Sequence, residues 1–133
     1  MSKRILIIDD DLAVRDTLIA ILEDRGYEVM TAVNGQQGLA VFRSERPDLL
    51  VTDIVMPHML GTEVAEIMRV IKPGAAELYM SGYAWPVYAP QTRLRPDVIL
   101  VDKPFSDADL LAKAGQALAD RNRELRTSRA TRA

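Results

Sequence analysis

Four apolar runs in this chain stop on side chains able to handle a phosphate or a metal ion. The run 4–8 meets Asp9-Asp10-Asp11, 49–52 meets Asp53, 77–80 meets Ser81, and 97–101 meets Asp102-Lys103. Carboxylates brought together repel one another, which raises their pKa values unless a divalent cation offsets the charge. Mg²⁺ suits an open oxygen site of a few carboxylates completed by a phosphate. A lysine can neutralise phosphoryl charge, a hydroxyl can hydrogen-bond to it, and a lone carboxylate can accept the group.

Taken singly, each signal has an ordinary reading. Acids ahead of a helix serve as caps, and this is the plainest account of Asp11. Asp53 alone reads as a turn acid, Ser81 as a loop hydroxyl and Lys103 as a solvated charge. Their joint placement at strand ends is what those readings leave unexplained. In an open doubly wound sheet, ligands bind beyond the carboxyl ends of the strands.

The elements that must position these groups alternate along the chain. Strands are expected at 4–8, 27–31, 48–52, 77–80 and 97–101. Val14, Leu18, Ile21 and Leu22 recur at helical spacing before a stop at Gly26. Gly38, Leu39 and Phe42 share one face of a second helix, and Val64, Ile67, Met68 and Ile71 mark a third that ends at Lys72-Pro73-Gly74. A last helix opens at Ser106-Asp107 and should bury Leu110, Leu111, Ala114 and Leu118. Strands interleaved with helices predict an α/β fold with a parallel sheet covered on both faces.

A chain of 133 residues, 48% hydrophobic and 27% charged, suits one globular domain. We place it at 1–120, followed by a basic tail at 121–133. The tail sets Arg121, Arg123, Arg126, Arg129 and Arg132 against Glu124, whereas the whole chain carries −2, so the body is acidic. An acidic body argues against direct DNA binding, which needs clustered cations. The tail has no aromatic residue for stacking and reads as a frayed helix end or a linker. No apolar run is long enough to cross a membrane, and a cytoplasmic protein is expected. Without cysteine, a metal must be held by oxygen or by His58, which reads as an exposed loop residue.

The ordered pattern IIDDD, VTDIVMP with Gly61 following, MSG, and DKPF resembles the receiver domain of two-component response regulators over residues 3–119. The resemblance implies a flavodoxin-like, doubly wound five-stranded parallel sheet in the order 2-1-3-4-5. It implies Mg²⁺-dependent phosphoryl transfer from a histidine kinase or a histidine phosphotransfer protein to Asp53, switching a partner interaction. In that reading Asp9, Asp10, Asp53 and the backbone carbonyl of Val55 hold the Mg²⁺. Ser81 is the switch hydroxyl, and Lys103 contacts the phosphoryl group. The chain would catalyse only its own phosphorylation and slow dephosphorylation, with Val55 and Tyr83 shielding the product from water. The Lys103–Pro104 peptide is expected to be cis, and a homodimer is open to such a domain.

Other classes fit less well. A haloacid-dehalogenase-like phosphatase would need a second acid two residues after the nucleophile, where Val55 stands, and its acidic pair late in the chain. A receiver that no longer takes phosphate would lack one of the key groups. No glycine-rich phosphate loop follows a strand, which disfavours a nucleotide-binding enzyme. Two features depart from the better-known receivers. Leu100 stands where an aromatic ring is frequent, and Pro86, Pro90 and Pro96 predict an irregular fourth helix. Proline-broken receivers of this kind resemble those of hybrid kinases or stand-alone receivers, and we expect Trp85 in this segment to report on switching.

Overall fold

Ile5, Leu6, Ile7 and Ile8 are all fully buried. Successive side chains of a strand point to opposite faces, so four in a row away from water require a sheet covered on both sides. The computed structural model describes residues 2–56, 58–82 and 98–132, with side chains through 120, and contains such a sheet. The expected irregular fourth helix, Tyr83 and Trp85 lie outside the described residues.

The elements run β1 (Arg4–Ile8), α1 (Leu12–Asp24), β2 (Glu28–Ala32), α2 (Gly35–Glu45), β3 (Leu49–Asp53), β4 (Val55–Met56), β5 (Met59–Leu60), α3 (Gly61–Ile71), β6 (Ala76–Ser81), β7 (Ile99–Asp102) and α4 (Asp107–Arg132). The main sheet is parallel in the order β2-β1-β3-β6-β7. Setting aside the two-residue strands β4 and β5, which among the described residues pair with each other, this is the expected 2-1-3-4-5 order of a flavodoxin-like, doubly wound sheet.

Alternation along the strands divides the core in two. Ile5, Ile7, Val51, Leu78, Met80 and Val101 pack with Leu18 and Leu22 of α1 and with Leu110 and Ala114 of α4. Leu6, Ile8, Leu50 and Ile54 pack on the other face with Leu39 and Phe42 of α2 and with Val64 and Met68 of α3. Full burial of one such aliphatic side chain contributes about 1.5–3 kcal/mol, so these two layers hold the sheet rigid under its polar edge. Leu111, expected in the core, is only half-buried at its margin, and Ala117 is buried instead.

Caps fall where the sequence places them. Asp11 accepts from the N–H groups of Ala13 and Val14, Gly26 leaves α1 with φ of 97°, and Ser106 Oγ accepts from the N–H of Asp109. Strands β2 and β3 each begin one residue later than expected. Asp48 is the reason at β3: its N–H donates to the Arg4 carbonyl, its side chain accepts from the Arg4 N–H at 2.8 Å, and it pairs with Lys72 at 3.1 Å. These contacts tie the entrance of β3 down and leave Asp53 as its last residue. Helix α4 runs through residue 120 without a break and continues to Arg132.

Candidate functional site

The described strand ends bring Asp9, Asp53, Ser81, Asp102 and Lys103 to one edge of the sheet. Asp9 follows β1, Asp53 ends β3, Ser81 ends β6, and Asp102 ends β7 with Lys103 next in the chain. Asp9 is fully buried, Asp10 is exposed, and Asp53 lies between these extremes. One carboxylate oxygen from each of Asp9, Asp10 and Asp53 lies within 4.8 Å of the other two.

A buried carboxylate must have its oxygens satisfied, and Asp9 meets that demand. Its Oδ1 accepts from the Asp11 N–H at 2.8 Å and its Oδ2 from Lys103 Nζ at 2.8 Å. Its own N–H donates to the Ala32 carbonyl on β2, and its carbonyl accepts from Arg15 Nη1 at 2.7 Å. Lys103 Nζ also stands 2.6 Å from Asp53 Oδ1. One ammonium therefore faces two carboxylates, and the balance is acidic. Burial pushes the Asp53 carboxyl up from 3.8 to about 7; Lys103 draws it down, and the neighbouring Asp9 adds to the rise. For Lys103, burial lowers the pKa, but its bonds to Asp53 and Asp9 outweigh this and hold it raised. Both shifts are upward: the ammonium is held charged by two acids, while the charge of one acid is left in surplus. The surplus negative charge, with a hard oxygen donor set and an exposed side at Asp10, fits a divalent cation of the Mg²⁺ type.

The loop after Asp53 closes on itself. Strands β4 and β5 pair antiparallel, with Val55 opposite Leu60 and Met56 opposite Met59. The Gly61 N–H donates to the Ile54 carbonyl at 2.8 Å, while the Leu60 N–H donates to Glu63 Oε1 at 2.9 Å. Val55 and Leu60 are thus a non-hydrogen-bonded pair of the ladder, and the ladder does not use the Val55 carbonyl. His58 is exposed at the turn with φ of 69°. Gly61 is required here by space: a Cβ would stand 2.2 Å from the Asp53 carbonyl oxygen. Gly61→Ala should therefore displace the backbone of Asp53 and cost about 1–3 kcal/mol, the usual penalty of overpacking. Urea unfolding checks this, and a variant as stable as the parent would remove the assigned constraint.

Ser81 is buried, and its Oγ donates to Asp102 Oδ1 at 2.6 Å. The two are register partners on β6 and β7, which places their side chains on one face. Leu100 lies half-buried in the same layer, opposite Tyr79. The Lys103–Pro104 peptide is cis. Beside Lys103, a mostly apolar hollow is lined by Ala13, Val14, Thr17, Gly82, Pro104 and Phe105. Three contacts went unread from sequence: Arg15 on the Asp9 carbonyl, Gly61 against Asp53, and Asp102 on Ser81. Gly61 and Asp102 left a signal, the one in the quoted pattern and the other among the strand-end residues, whereas Arg15 left none.

The parallel sheet with acids and a lysine at its carboxyl edge defines the class, and comparison with known proteins gives the family. Residues 5–115 match the response regulator receiver domain, and the chain belongs to that family. It is 36% identical over 83 residues to sporulation initiation phosphotransferase F of Bacillus subtilis (strain 168), covering 62% of this chain and 67% of that protein. It is 43% identical over 81 residues to a response regulator receiver protein of Anaeromyxobacter sp. (strain Fw109-5), covering 61% of this chain and 34% of that one, so the match spans about a third of that relative. Among solved structures, a CheY-like response regulator receiver domain protein from Methanospirillum hungatei JF-1 superposes with a TM-score of 0.78 at 36% identity, covering 93% of this chain and 99% of the other. Among the described residues, no helix is long and apolar enough to cross a membrane.

Proposed function

We propose that this receiver accepts a phosphoryl group on Asp53 from a histidine kinase or a histidine phosphotransfer protein in the cytoplasm, and that the modified state switches a protein partner. The observation that carries this reading is the convergence of Asp9, Asp10 and Asp53 beside Lys103 at the sheet edge. Asp53 Oδ forms a bond to phosphorus as the phosphorus–nitrogen bond of the phosphohistidine breaks, and the imidazole nitrogen keeps the electron pair and takes up a proton. Asp9, Asp10, Asp53 and the Val55 carbonyl would hold Mg²⁺, which supplies charge neutralisation at the transferring group. Lys103, already between Asp9 and Asp53, exchanges its carboxylate contact for a phosphoryl oxygen. Ser81 donates to another. The apolar Val55 side chain orients no water, so the acyl phosphate decays slowly. The hollow beside Lys103, next to the exposed Leu12, gives an apolar face against which the donor protein can seat.

The chain acts on itself, with no separate substrate turned over. Incubation with acetyl phosphate and Mg²⁺ should add one phosphoryl group to the parent and none to Asp53→Ala, read by intact mass. Equal gain in the variant overturns the assignment.

A further inference from the structure

Ser81 stands on the strand between the one that ends in Asp53 and the one that ends in Asp102. Neighbouring strands lie about 4.8 Å apart, so its hydroxyl has an acid-bearing strand end on either side. It donates to Asp102 Oδ1, at 2.6 Å, and a hydroxyl has one proton to donate. That distance is typical of an O–H bond to a charged acceptor, the stronger kind of hydrogen bond. Ser81 is 4% exposed, so water competes poorly for its proton, while Asp102 itself reaches solvent.

We infer that Asp102 is a positioning residue that withholds the Ser81 hydroxyl from the site, so that phosphoryl oxygens and Asp102 compete for one proton donor. The inference rests on the receiver reading above and adds to it a restraint particular to this chain. In the unmodified protein Ser81 points its proton at Asp102. When a phosphoryl group arrives on Asp53, the hydroxyl turns to a phosphoryl oxygen and the Asp102 carboxylate is released to water, which it already touches. The cost of breaking the Ser81–Asp102 bond is subtracted from the stability of the modified state. Asp102 thereby sets how much phosphorylation is needed to throw the switch.

The test uses beryllofluoride with Mg²⁺ as a stand-in for the bound phosphoryl group, its affinity measured by calorimetry on the full chain. Asp102→Ala should tighten binding about 3- to 10-fold, the range for one hydrogen bond to a charged acceptor reduced by solvent access to Asp102. Asp102→Asn, which keeps an acceptor of lower strength, should fall between the parent and the alanine variant. In a Ser81→Ala background the effect of Asp102→Ala should shrink to less than about 2-fold, since the shared proton is gone. Equal gains from the alanine and asparagine variants that persist without Ser81 would assign the effect to charge alone and overturn the inference. Unchanged affinity in both variants overturns it as well. Failure of the parent to bind beryllofluoride is a different result, and it would overturn the receiver reading itself. If the alanine variant does not fold, the asparagine variant with and without Ser81 decides the matter.

Discussion

Replacing Lys103 by methionine should lower the unfolding free energy by about 2–3 kcal/mol near pH 8 when no divalent cation is present. Breaking a buried ion pair costs roughly 3–5 kcal/mol, because the partner is left charged and uncompensated. The Lys103 side chain keeps 24% of its surface in water, which reduces the figure. The partners here are two, Asp9 at 2.8 Å and Asp53 at 2.6 Å, so the variant leaves a pair of facing acids with no cation between them. The loss should depend on pH in a direction that follows from Asp53. Its folded pKa is already raised, and removing the ammonium raises it further. Stability linked to that proton is present below the unfolded pKa and disappears as pH rises through the folded one. Most of the loss should therefore be recovered near pH 5.5, where Asp53 is protonated. Urea unfolding of both proteins in chelator at the two pH values gives the comparison. A methionine variant as stable as the parent near pH 8 would mean that the acids are separated in solution, contrary to the contacts described.

Asp53→Asn should have the opposite sign. In the parent without divalent cation, the native state holds a proton on Asp53 between about pH 4 and pH 7 that the unfolded chain has released, so stability falls as pH rises across that window. A rise from 3.8 to about 7 corresponds to a ceiling of about 4 kcal/mol. The Asp53 side chain is still 14% exposed, and about 2 kcal/mol is the effect to expect. The asparagine variant keeps the shape and cannot ionise. It should be more stable than the parent above pH 7 by about that amount and should show a flatter profile below it. Millimolar Mg²⁺ should stabilise the parent through binding to the native state alone, and should stabilise the variant much less. A parent whose stability does not change between about pH 4 and pH 7 would contradict the raised pKa of Asp53.

The sheet was legible because its signals are local. A continuous run such as Ile5–Ile8 can be buried only in a covered parallel strand, and Asp11, Gly26 and Ser106 carry the preferences of caps and stops in their own side chains. The gathering of Asp9, Asp10, Asp53 and Lys103 was legible too, since each stands within two residues of the end of an apolar run and the fold places strand ends together. What escaped depends on distances between elements far apart in the chain. Asp48 reads as a strand residue until its bonds to Arg4 and Lys72 are seen. Arg15 looks like an exposed helix cation until its guanidinium reaches back to the Asp9 carbonyl. The partner of Ser81 is fixed by the register of β6 against β7, which no pattern of hydrophobicity states. The pairing of β4 with β5 involves two residues each, too few to show a period.

That small pairing makes the stretch from Asp53 to Gly61 a measured ring. The chain leaves Asp53, turns at His58, and returns so that Gly61 rests against the Asp53 carbonyl and binds Ile54. Inserting one residue would shift the ladder by one position and carry the Val55 carbonyl from outside the pairing to inside it. Between Asp53 and the glycine, side chains can vary as long as those two residues remain, but the residue count cannot. Substitutions there should tune the receiver, whereas a single insertion or deletion should abolish it.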